Sequence, residues 1–430
     1  MKTGSLINPF SHLANKLRIG LSWAILFICI FPPTPTSAQT ATLDNYLEQG
    51  MQRSPLLKDY NNQLLAFDVD SAKIRAALKP LISVNSAIIY PPVINGYGYD
   101  QGVTNGGTYA ALAGINQPLL TKRFKETQFA FIGLQKQSVA NLYKISEHDL
   151  RKNIADQYIT AYQDAQQIRF SEQVDSLLHQ EMDLLKAQSD AGIYKLSDLL
   201  AFSIEMHTNE IETEQQKQQY RDDVFALNFI SGISDTALVQ LEVPSIQYHL
   251  AGSVFNSPVF LKFTIDSLTI ANGRRIVDLN YRTKLNAFAD AGLNAALPQN
   301  IPKNFGFSVG MSLSVPIYDG HLRQLEYKKL GYAEQTRKNY HDFLSDQVKI
   351  RTQQLEAEKK ANDILLQRLK DEEVDMESLL EMNKRQLNTG SISITDYIVN
   401  LRKYIDMQNK IKTAQVKSYT LINEYNYLVW

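Results

Sequence analysis

Residues 305–320 read FGFSVGMSLSVPIYDG. Large apolar side chains at Phe305, Phe307, Val309, Met311, Leu313 and Val315 alternate with Gly306, Ser308, Gly310, Ser312 and Ser314. A period of two puts the two sets on opposite faces of a β-strand. The run stops at Pro316, which has no N–H for a β-ladder and whose fixed φ suits a first helical turn. Asp319, three residues further, is of the N-capping type. Beyond it the alternation vanishes. Residues 332–389 contain neither Gly nor Pro and are rich in Leu, Gln, Glu, Lys and Ala, so the strand hands over to a very long helix.

The same passage is written a second time, 198 residues upstream. Pro118 matches Pro316 at that offset and Gly133 matches Gly331. AGIYKLSDLL (191–200) lies over TGSISITDYI (389–398), which aligns Gly192 with Gly390 and Asp198 with Asp396. Further upstream, SPLLKDY (54–60) pairs with SPVFLKF (257–263). Alternating runs separated by Gly-, Pro- and Asn-rich connectors give a strand–loop–strand hairpin in each copy. The expected first repeat is 39–240, with strands at about 81–90 and 109–117, a long helix at about 121–190 and a return helix at about 193–231. The second is 241–430, with strands at about 283–293 and 305–315, a long helix at about 319–388 and a return helix at about 391–429. Thr121 is the N-cap candidate of the first copy.

Residues 1–38 have the layout of a secretory signal. Lys2, Lys16 and Arg18 precede the apolar stretch Leu21–Phe31, and a Pro-rich segment then ends in small residues, with cleavage expected after Ala38. Cys29, the only cysteine, lies inside it, so disulfides are not expected in the rest. Subtracting the three cations of that segment from 44 Lys+Arg leaves 41 against 45 Asp+Glu, a net charge of −4, which argues against nucleic acid as a partner. No later stretch reaches the ~18 consecutive apolar residues of a membrane helix, so contact with lipid would come through strands.

Strands of this length with one greasy face and one small, polar face fit a tilted transmembrane strand with lipid on one side and an open lumen on the other. A half-buried strand of a soluble sandwich is the alternative for any one strand. Two hairpins supply only four strands, and the open edges of such a sheet cannot lie in hydrocarbon, where each unpaired N–H or C=O costs several kcal/mol. The sheet must then close on strands from other copies, and three chains would supply twelve. A continuous helix over 121–190 would measure roughly 105 Å, about three bilayer thicknesses.

The order of these elements, VPIYDG at the strand-to-helix junction and the Gly-then-Asp turns resemble the outer-membrane efflux protein family typified by TolC. The resemblance covers nearly the whole chain after residue 38. It implies a mixed α/β membrane protein, mainly α, in which duplicated strand–strand–long-helix–helix units form a trimeric twelve-stranded transmembrane β-barrel continuous with a periplasmic α-helical barrel. It implies a homotrimer in the outer membrane of a Gram-negative bacterium, in contact with lipid there and extending into the periplasm. The implied role is a passive exit duct of a tripartite efflux or type I secretion system, coupled through a periplasmic adaptor to an inner-membrane transporter of RND or ABC type.

Gly192 and Gly390 stand at the helix-hairpin tips that meet the adaptor in the family, and Pro118 and Pro316 at the strand-to-helix junctions. In family members a carboxylate after the second tip glycine narrows the periplasmic entrance. Asp396 occupies that position, Asp198 matches it in the first copy, and Val399 stands where a second carboxylate often follows. The other reading of both aspartates is N-capping of the returning helices. An alternative for the whole chain is a periplasmic coiled-coil adaptor or scaffold, against which the tandem repeat argues.

No catalytic, cofactor or metal site is expected. Gly96-x-Gly98 lacks the third glycine and the following helix of a phosphate loop. The histidines at 148, 179, 207, 249, 321 and 341 form no metal-ligand spacing, and neither a nucleophile elbow nor paired catalytic carboxylates occur. Tyr90, Tyr97, Tyr99 and Tyr109 are candidates for an interfacial aromatic girdle.

Overall fold

The structure, a computed structural model, describes residues 41–99, 107–235, 237–249, 257–296 and 298–430. The signal-like segment, Cys29 and part of the loop after Tyr99 lie outside the described residues. Two short helices come first, α1 (Leu43–Arg53) and α2 (Pro55–Ala77), followed by β1 (Leu81–Ile89), β2 (Thr108–Pro118), α3 (Lys122–Asp190) and α4 (Leu196–Ile230). The pattern then recurs as α5 (Pro258–Asn280), β3 (Lys284–Ala295), β4 (Phe305–Ser314), α6 (Leu322–Asn388) and α7 (Ile394–Leu428), with a short 3-10 turn between β3 and β4. The Gly/Pro-free runs explain the two longest helices, which have 69 residues (α3) and 67 (α6).

The four strands form one antiparallel sheet in the order β1-β2-β3-β4. Its register places Val84, Ala113, Ala291 and Phe307 side by side, and Ile82, Ile115, Ala289 and Val309 in the next row. Leu285 with Leu313 and Ala287 with Met311 extend the same face. The opposite face is mostly small or polar, with Ser83, Asn85, Gly114, Asn116, Asn286, Asp290, Gly306, Ser308 and Ser312, but it also carries Leu81, Ile89, Leu112 and Phe288. The apolar face is bare: Phe307 is 84% exposed and Val309 77%. β1 and β4 are the two ends of the order, and each has a partner within the chain on one edge only.

The helices bury a shared apolar core, although α4 and α6 also keep exposed apolar residues. α3 packs on α4, α6 packs on α7, and α3 also meets α1, α2, α5 and α7. One cluster around Ile154, Tyr158 and Leu227 sits near the middle of α3 and holds α1 and the segment at Leu241. The Tyr158 hydroxyl lies 2.7 Å from the Ala41 carbonyl and 2.8 Å from that of Glu242, so the start of the described chain and the end of α4's trailing segment share one anchor. A second cluster joins Leu178 and Leu185 of α3 to Leu387 of α6 and to Ile394, Tyr397 and Leu401 of α7. Burying each such side chain contributes roughly 1.5–3 kcal/mol. Among the described residues no helix is long and apolar enough to cross a membrane.

Candidate functional site

Both long helices end in the same way. At the first tip the Gly192 N–H donates to the Ser189 carbonyl (2.9 Å) and the Ile193 N–H to the Gln188 carbonyl (3.0 Å). At the second, Gly390 donates to Leu387 (3.2 Å) and Ser391 to Gln386 (2.8 Å). This crossed pair of bonds satisfies the last carbonyls only if the residue after the cap is left-handed, and Gly192 (φ 78°) and Gly390 (φ 69°) supply that conformation. The two tips touch: a Cβ at Gly390 would lie 2.6 Å from Cγ2 of Ile193. The helices return at Leu196 and Ile394, three residues later than the sequence reading placed them, because 193–195 and 391–393 are spent on the turn and its cap.

Asp198 and Asp396 occupy the same place in their helices, but only Asp198 accepts a backbone N–H, while in the second copy Ser393 is the cap and Asp396 braces it. The Lys195 N–H donates to Oδ2 of Asp198 (3.2 Å). The Ser393 hydroxyl donates to Oδ2 of Asp396 (2.6 Å) while the Asp396 N–H donates back to that hydroxyl (3.1 Å). A carboxylate in the first turn also complements the helix dipole. Asp396 remains exposed, so its charge is still presented to solvent.

Several contacts between the two hairpins have no clear mark in the sequence. The Tyr194 hydroxyl lies 3.0 Å from the carbonyls of both Leu387 and Ile392, and Gln188 Nε2 donates to the Asn388 carbonyl at 2.9 Å. Burial pushes the Tyr194 phenol up, helped by the negative charge of Asp198. Lys384 Nζ lies 2.8 Å from Oε1 of Glu181, whose side chain is 2% exposed. Arg402 of α7 forms a two-pronged pair with Glu205 of α4. The Tyr397 hydroxyl is fully buried with no hydrogen-bond partner among the described residues, and burial first, then Glu181, push its pKa far up.

The strand-to-helix junctions differ. Pro118 is the last residue of β2, opposite Asn286, and Leu119 N–H still donates to the Leu285 carbonyl at 2.9 Å. Thr121 is the N-cap of α3, its hydroxyl accepting the Phe124 N–H at 3.3 Å. In the second copy Pro316 lies beyond the end of β4, and Gly320 (φ 62°) and His321 (φ 66°) make a left-handed turn. That turn delays α6 to Leu322, so Asp319 is not the N-cap residue. Its carboxylate reaches forward instead, accepting the N–H groups of His321 and Arg323, each at 3.0 Å. Near this junction Asp278 of α5 binds Arg323 (2.6 Å) and the Tyr327 hydroxyl of α6.

Midway along the first hairpin, Asp164 of α3 faces Asp223 of α4. Burial, then the hydrogen bond and charge of Asp223, push Asp164 up to about 7. Burial also acts upward on Asp223, but hydrogen bonds from Gln219, Asp164 and Gln157 outweigh it and leave its carboxyl below the usual range. One proton shared between the two carboxyls is the arrangement these opposite shifts describe. Among the described residues no group of three or more His, Cys, Asp or Glu side chains is placed to hold a metal ion.

No protein-family model matches the chain, and no curated protein matches it. Solved structures do. The outer membrane protein VceC of Vibrio cholerae superposes with a TM-score of 0.70 at 13% identity, over 91% of this chain and 97% of that one. The MtrE outer membrane channel of Neisseria gonorrhoeae in its open state gives 0.69 at 11% identity, over 90% and 89%. The CmeC outer membrane channel of Campylobacter jejuni gives 0.69 at 9% identity, over 90% and 85%.

The chain has the fold of outer-membrane channels. The resemblance read from VPIYDG and the paired Gly–Asp turns is borne out at the level of fold, over nearly the whole described length. In this channel fold the exposed sheet and the two helix tips stand at opposite ends of α3 and α6, about 100 Å apart for helices of this length.

Proposed function

We propose that the chain is the outer-membrane component of a tripartite efflux or type I secretion system. It is a passive, non-enzymatic exit duct in the outer membrane of a Gram-negative bacterium, reaching into the periplasm. The observation that carries this reading is the sheet: four strands with a continuous, exposed apolar face and two open edges. Water would not leave such a face bare, and hydrocarbon would not tolerate such edges. Both demands are met if β4 of one copy pairs with β1 of the next and three copies close a twelve-stranded barrel around the small, polar face.

The helices support the same homotrimer. α3 packs on α4 and α7, and α6 packs on α7 and α5, while α4 also meets α7; α4 and α6 each keep an exposed flank. Each flank carries exposed apolar residues at helical spacing, Leu196, Leu200, Ile204 and Ile211 on α4 and Leu325, Tyr332, Phe343 and Ile350 on α6. Packing neighbouring copies around a common axis would cover both, the α4 residues near the tips and the α6 residues near the sheet, and would build a helical barrel continuous with the strands. In this reading 39–240 and 241–430 are two structural repeats, and Pro118 and Pro316 mark where membrane strand becomes periplasmic helix. The tips at Gly192 and Gly390 meet a periplasmic adaptor that links the duct to an inner-membrane transporter of RND or ABC type. Asp396 and Asp198 ring the periplasmic entrance from the first turns of their helices. The adaptor or scaffold alternative is set aside, because neither has use for an open sheet with a bare apolar face.

Membrane fractionation with crosslinking tests the assignment. The expected result is a detergent-requiring species that crosslinks to trimers in the outer membrane; a water-soluble monomer refutes it. For the entrance, Asp396→Asn is expected to lower cation preference in single-channel recordings, and unchanged selectivity removes Asp396 from that role.

A further inference from the structure

We infer that Asp290 gives the barrel lumen a preference for cationic over anionic solutes, an inference that rests on the duct reading above. The lumenal face of the sheet carries two charged side chains among its described residues, Asp290 near the middle of β3 and Lys284 at its start. They are six residues apart, about 20 Å at 3.3 Å per residue. The Debye length at physiological salt is about 8 Å, so the lysine does not cancel the aspartate locally.

Asp290 is half-buried on this face, with Phe288 beside it along β3 and small residues across from it. Its cross-strand partners are Gly114 on β2 and Ser308 on β4, and the Ser308 hydroxyl donates to its Oδ2 at 2.7 Å. The next row on the same face pairs Gly292 with Gly306. A Cβ at Gly292 would fall 2.1 Å from the Ala111 carbonyl oxygen, so close backbone approach demands that glycine. Packing does not demand the other two: a Cβ at Gly306 would touch nothing within 4 Å, and at Gly114 only ordinary contacts at 3.8 Å. Glycine and aspartate are both poor strand formers. Gly114 and Gly306, which packing does not require, leave one side of the half-buried, unneutralised carboxylate open to whatever passes. Closing the trimer repeats it three times at one height of the wall.

The test reads the local potential directly. Gly306→Cys places a thiol about 7 Å from Asp290, on the same face and where added atoms have room. It is treated in the purified, detergent-solubilised protein with a trimethylammonium and a sulfonate methanethiosulfonate. The cationic reagent is expected to react faster, and Asp290→Asn, which preserves the bond from Ser308, to cut the cationic-to-anionic rate ratio about fivefold at 10 mM salt. The difference should shrink strongly at 1 M salt. An unchanged ratio in Asp290→Asn overturns the inference. Phe307→Cys is the control for the reading beneath it: on the lipid face it should be shielded by detergent, and modification as fast as at position 306 would overturn the face assignment and the duct together.

Discussion

The helical body and the sheet follow opposite burial rules within one chain. Leu178 and Leu185 of α3 have no exposure, while Phe307 and Val309 of β4 are almost bare. The helices place apolar surface against apolar surface because water surrounds them. The sheet turns it outward, which is favourable only where the surroundings are themselves apolar. In the proposed duct the difference would locate the boundary between two solvents, with Pro118 and Pro316 where the chain crosses it.

The comparison can be broken most forcefully at the centre of β4. Val309→Arg puts a cation on the apolar face and is expected to cost roughly 2–4 kcal/mol at the bilayer midplane, seen as loss of heat-stable trimers. Ser312→Arg, on the other face of the same strand, should leave trimers nearly intact. Equal effects of the two substitutions would mean that the faces do not differ in solvent.

At the far end of the helices, Gly390→Val forces a β-branched residue into the left-handed region against Ile193. A cost of roughly 1–2 kcal/mol is expected, confined to the tip. Trimers should survive while crosslinking to a periplasmic adaptor weakens. Lost trimers would show that the tip glycine serves assembly instead.

The smallest effect sharpens the comparison inside the helical body, where a polar pair is buried among apolar neighbours. Asp164 is raised from 3.8 to about 7. The contribution of the raised Asp164 is therefore fully present below about 4 and is lost as pH rises through 7, whereas that of the lowered Asp223 is lost only as pH falls below the usual carboxylate range. Thermal unfolding in detergent should show a lower melting temperature at pH 8 than at pH 5. Asp164→Asn, which keeps a donor at every pH, should narrow that gap, and an unaltered gap would exclude the pair as its source.

Much of the fold was legible from local chemistry. The alternation from Phe305 to Val315 marks β4 and both of its faces, and the Gly/Pro-free runs mark α3 and α6. β1 was harder to read because Ser86 interrupts its apolar face. The candidate site was legible in part. Gly192 and Gly390 stood out because they break two otherwise Gly- and Pro-free runs at matching places, and Asp198 and Asp396 because the repeat aligns them and the family resemblance puts a carboxylate there. The delayed start of α6 was not, since Gly320 and His321 declare their left-handed turn only in three dimensions. The Glu181–Lys384 and Arg402–Glu205 pairs were also hidden: each joins residues about 200 positions apart, and nothing around either partner marks it as buried or paired.

By itself the sequence determined where strand yields to helix and where helix doubles back, because those events depend on a missing N–H, a permitted φ or a side chain within one turn. Only the tertiary structure decided that four short strands make one sheet with a continuous bare face. It alone placed Asp290 among glycines on the other face, and paired Asp164 with Asp223. Exposure and charge environment are set by which distant segments come to lie side by side, and register across strands and helices is a property of the assembled backbone.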